Sequence, residues 1–133
     1  MRENILEIRV SYADTDQMGM VYYANYLVYF ERGRTEWLRE AGLTYKALEE
    51  QGHYFPVIEC SCGYKSPAKY DDVITVKTTM GEIGPASVKF EYEISCGGKL
   101  LATGATKHPL VNRQMKPIRV PPDLRKKLEG QNG

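Results

Sequence analysis

Residues 26–42 read YLVYFERGRTEWLREAG, and their period decides the architecture. Counting from Tyr26, the residues Tyr29, Phe30, Gly33, Trp37, Leu38 and Ala41 fall at i+3, i+4, i+7, i+11, i+12 and i+15, one stripe of a helix with a 3.6-residue repeat. Glu31, Arg32, Arg34, Thr35, Arg39 and Glu40 fill most of the opposite side. The pattern predicts an amphipathic helix that begins near Tyr23 and stops at Gly42, a residue suited to the left-handed C′ position. Gly33 on the apolar stripe costs roughly 1 kcal/mol of helix propensity against Ala, so it is expected where helix backbone approaches a sheet closely.

On either side of this helix the period changes to two. Leu6, Ile8, Val10 and Tyr12 alternate with Glu7, Arg9 and Ser11, the pattern of a half-buried first strand. A short second helix is predicted over 44–51, with Thr44 as N-cap and Gly52 as stop. Beyond it, Ile58, Cys60, Cys62 and Tyr64 alternate; so do Ile74, Val76 and Met80 after the turn SPAKYDD, and Val88, Phe90, Tyr92 and Ile94 after GEIGPA. Gly97-Gly98 closes a hairpin onto a last strand over 99–111. The expected fold is α+β: one domain over 1–133, with a curved antiparallel sheet of about five strands wrapped around one long helix. One helix leaves a sheet edge or outer face uncovered, so a homo-oligomer is expected, a dimer or a dimer of dimers. Only the last residues, EGQNG, are expected to fray.

Composition excludes several function classes. Eighteen Lys+Arg against seventeen Asp+Glu leave a formal charge of +1 with no block of like charge, which argues against a nucleic-acid groove or an anionic membrane surface. No stretch approaches the ~20 apolar residues of a membrane span, and MRENILEIRV lacks the apolar core of a signal peptide; a cytoplasmic location is expected. Three cysteines, Cys60, Cys62 and Cys96, suit reduced thiols packed as small hydrophobes. Their C-x-C spacing is not that of a zinc site, and His53 and His108 stand apart from any nucleophile, so neither a metal nor a triad is expected.

Chemistry concentrates in YADTDQMGMVYYANY, residues 12–26, between the first strand and the long helix. The spacing Asp14-x-Asp16-x-x-Gly19 resembles the start of a calcium loop, but position 5 would be Met18 and position 12 would be Asn25, where that loop needs an oxygen ligand and a bidentate Glu. A lone loop Asp most often makes an Asx turn or caps a helix. Here the loop runs into a helix N-terminus, whose free N–H groups can hold a developing oxyanion. A carboxylate facing such a site is the minimal equipment for acyl hydrolysis.

The run DTDQMGMVYYANY with YFERGRTEWLREAGL, extended by FPVIECSCGYKSPAKYDDVITV, resembles the 4-hydroxybenzoyl-CoA thioesterase family of hotdog-fold enzymes, in particular its YbgC-like acyl-CoA thioesterases. The resemblance covers about the first two-thirds of the chain closely. It implies hydrolysis of acyl-CoA to free acid and CoA with no metal or organic cofactor; the dimer of dimers expected from the uncovered sheet would be a homotetramer. It implies that Asp16 is nucleophile or general base and that the Tyr23 backbone N–H polarises the thioester carbonyl. Many members of this branch carry His at the Tyr23 position; a backbone N–H survives the change. Gly19, Val21, Tyr22, Asn25 and Tyr26 are expected around the substrate, with Asn25 capping the helix or orienting the loop and Asp14 accepting backbone hydrogen bonds.

Other residues compete for these roles. Glu31 and Glu36 could supply a mid-helix carboxylate, but surface pairing with Arg32, Arg34 or Arg39 at i+3 or i+4 is the stronger expectation. Lys65, Lys69, Arg113, Lys116 and Arg119 lie near turns and could meet the phosphates of CoA. Tyr12, Tyr22, Tyr26, Tyr29 and Phe55 could line the acyl pocket or belong to the core. Two alternatives stand beside the acyl-CoA thioesterase: an acyl-carrier-protein thioesterase, and a hotdog protein that binds acyl-CoA without turnover. A dehydratase is disfavoured, because MGMVYYANY holds no histidine.

Overall fold

In the computed structural model residues 3–130 are described. Strand β1 is Glu3–Arg9, helix α1 is Asn25–Glu40 and helix α2 is Tyr45–Glu50; β2 (Glu59–Tyr64), β3 (Val73–Ile83), β4 (Ser87–Cys96), β5 (Lys99–Pro109) and α3 (Pro122–Leu128) follow. The strands form one antiparallel sheet in the order β1-β3-β4-β5-β2. Gly97 (φ +56°) and Gly98 (φ +82°) occupy the paired left-handed positions of the β4–β5 hairpin turn. The ladder slips between Met80 and Ile83 and again between Ile94 and Ser95. Such irregularities bend and twist a strand, which lets the sheet curve around α1.

The core lies between α1 and the inner face of the sheet. Tyr29, Phe30, Trp37 and Leu38 meet Ile74, Val76, Met80, Phe90 and Ile94, all essentially without solvent exposure. Phe30 stacks on Tyr92 at 4.3 Å between ring centroids, and Trp37 meets Phe90 edge-on at 5.5 Å. Gly33 sits where the stripe predicted a close approach: a Cβ there would collide with the Thr78 hydroxyl and lie 3.0 Å from Val76 Cγ1. Thr44 Oγ1 accepts the Ala47 N–H at 3.1 Å, so the expected N-cap of α2 is present. The outer face is polar, with Lys77 Nζ 3.5 Å from Glu3 and 3.6 Å from Glu93.

Arg34 departs from its place on the polar side of the helical pattern. It is 8% exposed, and its Nε donates to the Tyr45 hydroxyl at 3.1 Å while Nη1 reaches the Tyr92 hydroxyl at 3.5 Å. A directional chain continues through the core: Tyr92 O–H to Thr106 Oγ1, Thr106 O–H to His108 Nε2 at 2.8 Å, and His108 Nδ1–H to the Phe55 carbonyl at 3.2 Å. This direction needs a neutral His108, and burial pushes that imidazole down to about 4. Arg34 is tolerated inside because its guanidinium finds hydroxyl acceptors on two elements and its stem packs as hydrocarbon. Phe55 is thereby a core residue whose carbonyl ends the chain.

Four other expectations need correction. Helix α1 begins at Asn25 rather than near Tyr23, because Tyr22–Ala24 form a turn in which Asn25 N–H donates to the Tyr22 carbonyl at 2.8 Å. The first strand stops at Arg9; Tyr12 opens a 3-10 turn (Tyr12–Asp14) and is 77% exposed, its ring edge-on to Tyr70. Cys60 is exposed on the edge strand β2 and does not pack in the core, whereas Cys62 and Cys96 are half-buried against the core as expected; all three are free thiols. Glu129 and Gly130, expected to fray, close α3 through N–H bonds to the Arg125 and Lys127 carbonyls; residues 131–133 lie outside the described residues. Helix α3 itself was not anticipated, although Pro122 at its start and Leu124 and Leu128 at i, i+4 carry a helical signature, and both leucines are buried.

Candidate active site

The loop from Ser11 to Ala24 is tied at both ends, which gives its aspartates different jobs. Asp14 Oδ2 accepts the Tyr29 hydroxyl at 2.9 Å, and its carbonyl accepts the Tyr22 N–H at 2.9 Å and Asn25 Nδ2 at 2.8 Å. Burial and the Asp14 carboxylate push the Tyr29 hydroxyl well above its usual range, so it remains a donor. The expected backbone bonds of Asp14 therefore form at its carbonyl, while its carboxylate grips the buried helix. Asn25 orients the loop from the first residue of α1 instead of capping the helix.

Asp16 lies where the chain reverses. Its N–H donates to the Met20 carbonyl at 2.8 Å, Gly19 N–H donates to its carbonyl at 3.0 Å, and Gly19 adopts φ +78° to make the turn. Oδ1 accepts the Met18 N–H at 2.8 Å and the Met20 N–H at 3.3 Å, an Asx turn. Among the described residues no donor reaches Oδ2. The turn thus holds the carboxylate by one oxygen and leaves the other unengaged.

Asp16, Met20, Val21, Tyr23, Tyr26, Tyr64, Lys65, Ser66 and Pro67 line one mainly apolar hollow of about 350 Å³. A larger groove of about 860 Å³ crosses the outer sheet face among Glu3, Lys77, Thr79, Glu91 and Glu93, but it contains neither loop aspartate. The hollow's wall is fixed by a relay at Ala68: its N–H donates to the Tyr26 hydroxyl at 3.2 Å and its carbonyl accepts the Val21 N–H at 2.9 Å. Asp72 Oδ2 accepts the Lys69 N–H at 2.9 Å, and Arg9 lies 3.3 Å from Asp71, which holds a left-handed φ of +72°. These two contacts shape the turn that carries Ser66 and Pro67.

Among the residues expected at the site, Asp16, Val21, Tyr23, Tyr26 and Lys65 come together in this hollow; Gly19, Tyr22, Asn25 and Lys69 form the turns behind it. Met20, Tyr64, Ser66 and Pro67 were not expected there. Tyr64 was legible in part, because it shares strand parity with Cys60 and Cys62 and ends β2. Tyr23 N–H has no acceptor among the described residues, whereas Tyr26 N–H and Leu27 N–H already bond the Tyr23 and Ala24 carbonyls at 3.3 and 3.2 Å. Ala24 N–H likewise has no acceptor among the described residues, so both free donors of this turn lie ahead of the helix proper. Glu31 lies 4.0 Å from the buried Arg34 and Glu36 lies 3.4 Å from Arg39, both i,i+3 pairs; the Glu31 carboxylate itself is exposed, and the Glu36–Arg39 pair lies on the helix exterior.

The five cations set against the CoA phosphates fall into two groups at opposite ends of β5. Arg113 donates to the Glu49 and Glu50 carbonyls at 3.4 and 3.1 Å, closing the end of α2. Arg113, Lys116 and Arg119 follow the Pro109 end of β5, whereas Lys65 N–H bonds Leu101 near the other end of that strand. The two ends are about 25 Å apart at ~3.4 Å per strand residue. Among the described residues no group of three or more His, Cys, Asp or Glu could hold a metal, and no helix is long and apolar enough to cross a membrane.

The family model of the thioesterase-like superfamily matches residues 10–128. The chain belongs to the thioesterase-like superfamily. This thioesterase-like chain is 38% identical over 120 residues to the acyl-CoA thioesterase YbgC of Haemophilus influenzae, covering 89% of this chain and 88% of that relative. Among solved structures it is similar to the hypothetical protein TT1821 of Thermus thermophilus, with 35% identity, a TM-score of 0.91 and 99% of each chain covered. It is also similar to a DHNA-CoA thioesterase of Staphylococcus aureus, with 32% identity and a TM-score of 0.92 over 98% of this chain and 91% of that one. The sheet wrapped around one long helix, expected from the helix and strand periods, is the hotdog architecture that the resemblance implied.

Proposed function

We propose that the protein hydrolyses acyl-CoA thioesters to the free acid and CoA at the hollow beside α1. The observation that carries this reading is that Asp16, held by Oδ1 with Oδ2 unengaged, and Tyr23, whose N–H is unengaged among the described residues, both line one apolar hollow. The N–H suits the carbonyl oxygen as it gains negative charge. Asp16 Oδ2 then has two balanced routes. It can attack the carbonyl carbon, expelling the CoA thiolate and leaving an anhydride for water to open; or it can take a proton from water as that water attacks and the C–S bond breaks. Lys65 is the cation best placed for a CoA phosphate, since it lines the hollow. Acyl-CoA relatives support CoA as the carrier, and a water-soluble ester fits the expected cytoplasmic location.

Thiol release measured across short, medium, long and aromatic acyl-CoAs, and across acyl-carrier-protein esters, tests this reading. Release from CoA esters is expected. Release from carrier-protein esters alone would favour the first alternative, and none from either would favour a binding protein.

A dimer or dimer of dimers goes with this function. Edge strand β2 leaves one row of backbone groups without a strand neighbour, and Ile58 beside it is 57% exposed. Light scattering at micromolar concentration should give at least twice the 15.1 kDa chain mass. A monomer there would overturn the assembly.

A further inference from the structure

Residues 14–16 and 20–22 run antiparallel as a miniature ladder: Tyr22 N–H donates to the Asp14 carbonyl at 2.9 Å, Thr15 faces Val21, and Asp16 N–H donates to the Met20 carbonyl at 2.8 Å. Asp16 stands at one end of this ladder and Tyr22 at the other. At Tyr22 the chain turns toward α1, and Asn25 N–H closes the turn by donating to the Tyr22 carbonyl at 2.8 Å. That carbonyl belongs to the Tyr22–Tyr23 peptide, whose other polar group is the unengaged Tyr23 N–H. Asn25 Nδ2 then reaches back to the Asp14 carbonyl at 2.8 Å. Both corners of the turn therefore bond one oxygen, Tyr22 through its backbone and Asn25 through its side chain, and both lone pairs of that oxygen are used. The anchor is itself fixed, because Asp14 Oδ2 accepts the hydroxyl of the buried Tyr29 at 2.9 Å. The next peptide, Tyr23–Ala24, is held separately, its carbonyl accepting the Tyr64 hydroxyl at 3.0 Å and the Tyr26 N–H at 3.3 Å.

We propose that Asn25 is a positioning residue for thioester hydrolysis: its carboxamide ties the turn that carries the Tyr23 N–H to the ladder that carries Asp16, and so sets the direction of that donor relative to the carboxylate. This rests on the reading of Asp16 and Tyr23 given above. Without the side-chain bond the turn hangs from the ladder by the Tyr22 N–H alone, and the Tyr22–Tyr23 peptide can swing about it. A donor that must be aimed during reaction loses part of the stabilisation that a fixed donor gives a developing charge. Neither Asp14 nor Asn25 lines the hollow, so the pair acts on substrate only through the groups it holds.

Asn25→Ala removes the carboxamide, and Ala, the strongest helix former, leaves α1 its propensity. Turnover (kcat) should fall roughly tenfold, the rate equivalent of one neutral hydrogen bond, with KM within about twofold of wild type. In an Asp16→Asn background, where substrate stays bound, the infrared stretch of a carbonyl-labelled acyl-CoA should move to higher frequency on adding Asn25→Ala, because the carbonyl is less polarised. Asn25→Ser, a residue favoured at helix starts whose hydroxyl stops one bond short of the carboxamide nitrogen, should shift kcat and the band the same way; it decides the matter if the Ala variant does not fold. Unchanged kcat with an unchanged band overturns the proposal, and so does a raised KM at constant kcat, which would make Asn25 a substrate contact. A slow variant whose band stays in place also overturns it, because the loss would then lie at Asp16 and not at the donor. If Asp16→Asn itself retains wild-type turnover, the underlying reading of the site fails and this inference with it; if Asp16→Asn is slow and the Asn25 variants are silent, only this inference fails.

Discussion

Replacing Asp16 with Asn should slow acyl-CoA turnover by roughly 10² to 10⁴ while leaving binding nearly unchanged, the range seen when a positioned base is removed. Asn retains the shape and keeps a side-chain oxygen for the Met18 and Met20 N–H groups that hold Oδ1 now, so the turn survives. What is lost is the negative Oδ2, which no donor among the described residues neutralises. Single-turnover rates with folding followed by circular dichroism provide the check, and Glu31→Gln and Glu36→Gln are the comparison. Those carboxylates are solvent-exposed and pair with Arg34 and Arg39 away from the hollow, and their loss should change the rate little. A folded Asp16→Asn with wild-type rate, beside a slow helix-glutamate variant, would move the chemistry to the helix.

Gly104→Ala should lower stability by about 3 kcal/mol, the upper part of the usual range for overpacking. A Cβ at Gly104 would fall inside contact distance of both the Phe30 ring and the Ser61 carbonyl oxygen. Phe30 cannot yield, because it is stacked on Tyr92 and has no exposed surface. Ser61 is backbone of the neighbouring strand, paired with Ala105 in register, so relief would require β2 to move from β5. For a chain of this size the thermal midpoint should fall by roughly 10 °C. Gly63→Ala makes the same chemical change in β2, where a Cβ would meet only Thr103 Oγ1 at 3.6 Å, an ordinary contact. Equal midpoints for the two variants would show that α1 does not rest on Gly104 as described.

The comparison of these two glycines shows where sequence reading stops. Gly33 was legible, because it interrupts an apolar helical stripe and an interruption there signals close packing. Gly104 sits in a strand among small residues and gave no such sign; its neighbour, Phe30, is 74 positions away and is brought to it only by the fold. Arg34 failed for the same reason. Helical periodicity places it beside Glu31 and Arg32 on the polar side, and nothing local reveals that Tyr45, Tyr92, Thr106 and His108 will supply a line of hydroxyl and imidazole partners from other elements. A polar side chain can be buried when its acceptors arrive from elsewhere, and arrival is a tertiary event.

For the site the division is similar. The sequence alone determined that two loop aspartates precede a helix start; the family resemblance implied that Asp16, Val21, Tyr23 and Tyr26 share one site, and their span of eleven residues keeps them near one another. Tertiary structure decided which oxygen of Asp16 is bound in its own turn and which is free. It decided that Asp14 grips Tyr29, that Lys65 joins the hollow while Arg113 caps α2, and that Tyr64 reaches across from the edge strand to the Tyr23 carbonyl. Periodicity and turn chemistry record interactions between residues a few positions apart. The hollow closes with residues 64–67 meeting residues 16–26, and that meeting exists only once β2 has taken its place beside β5.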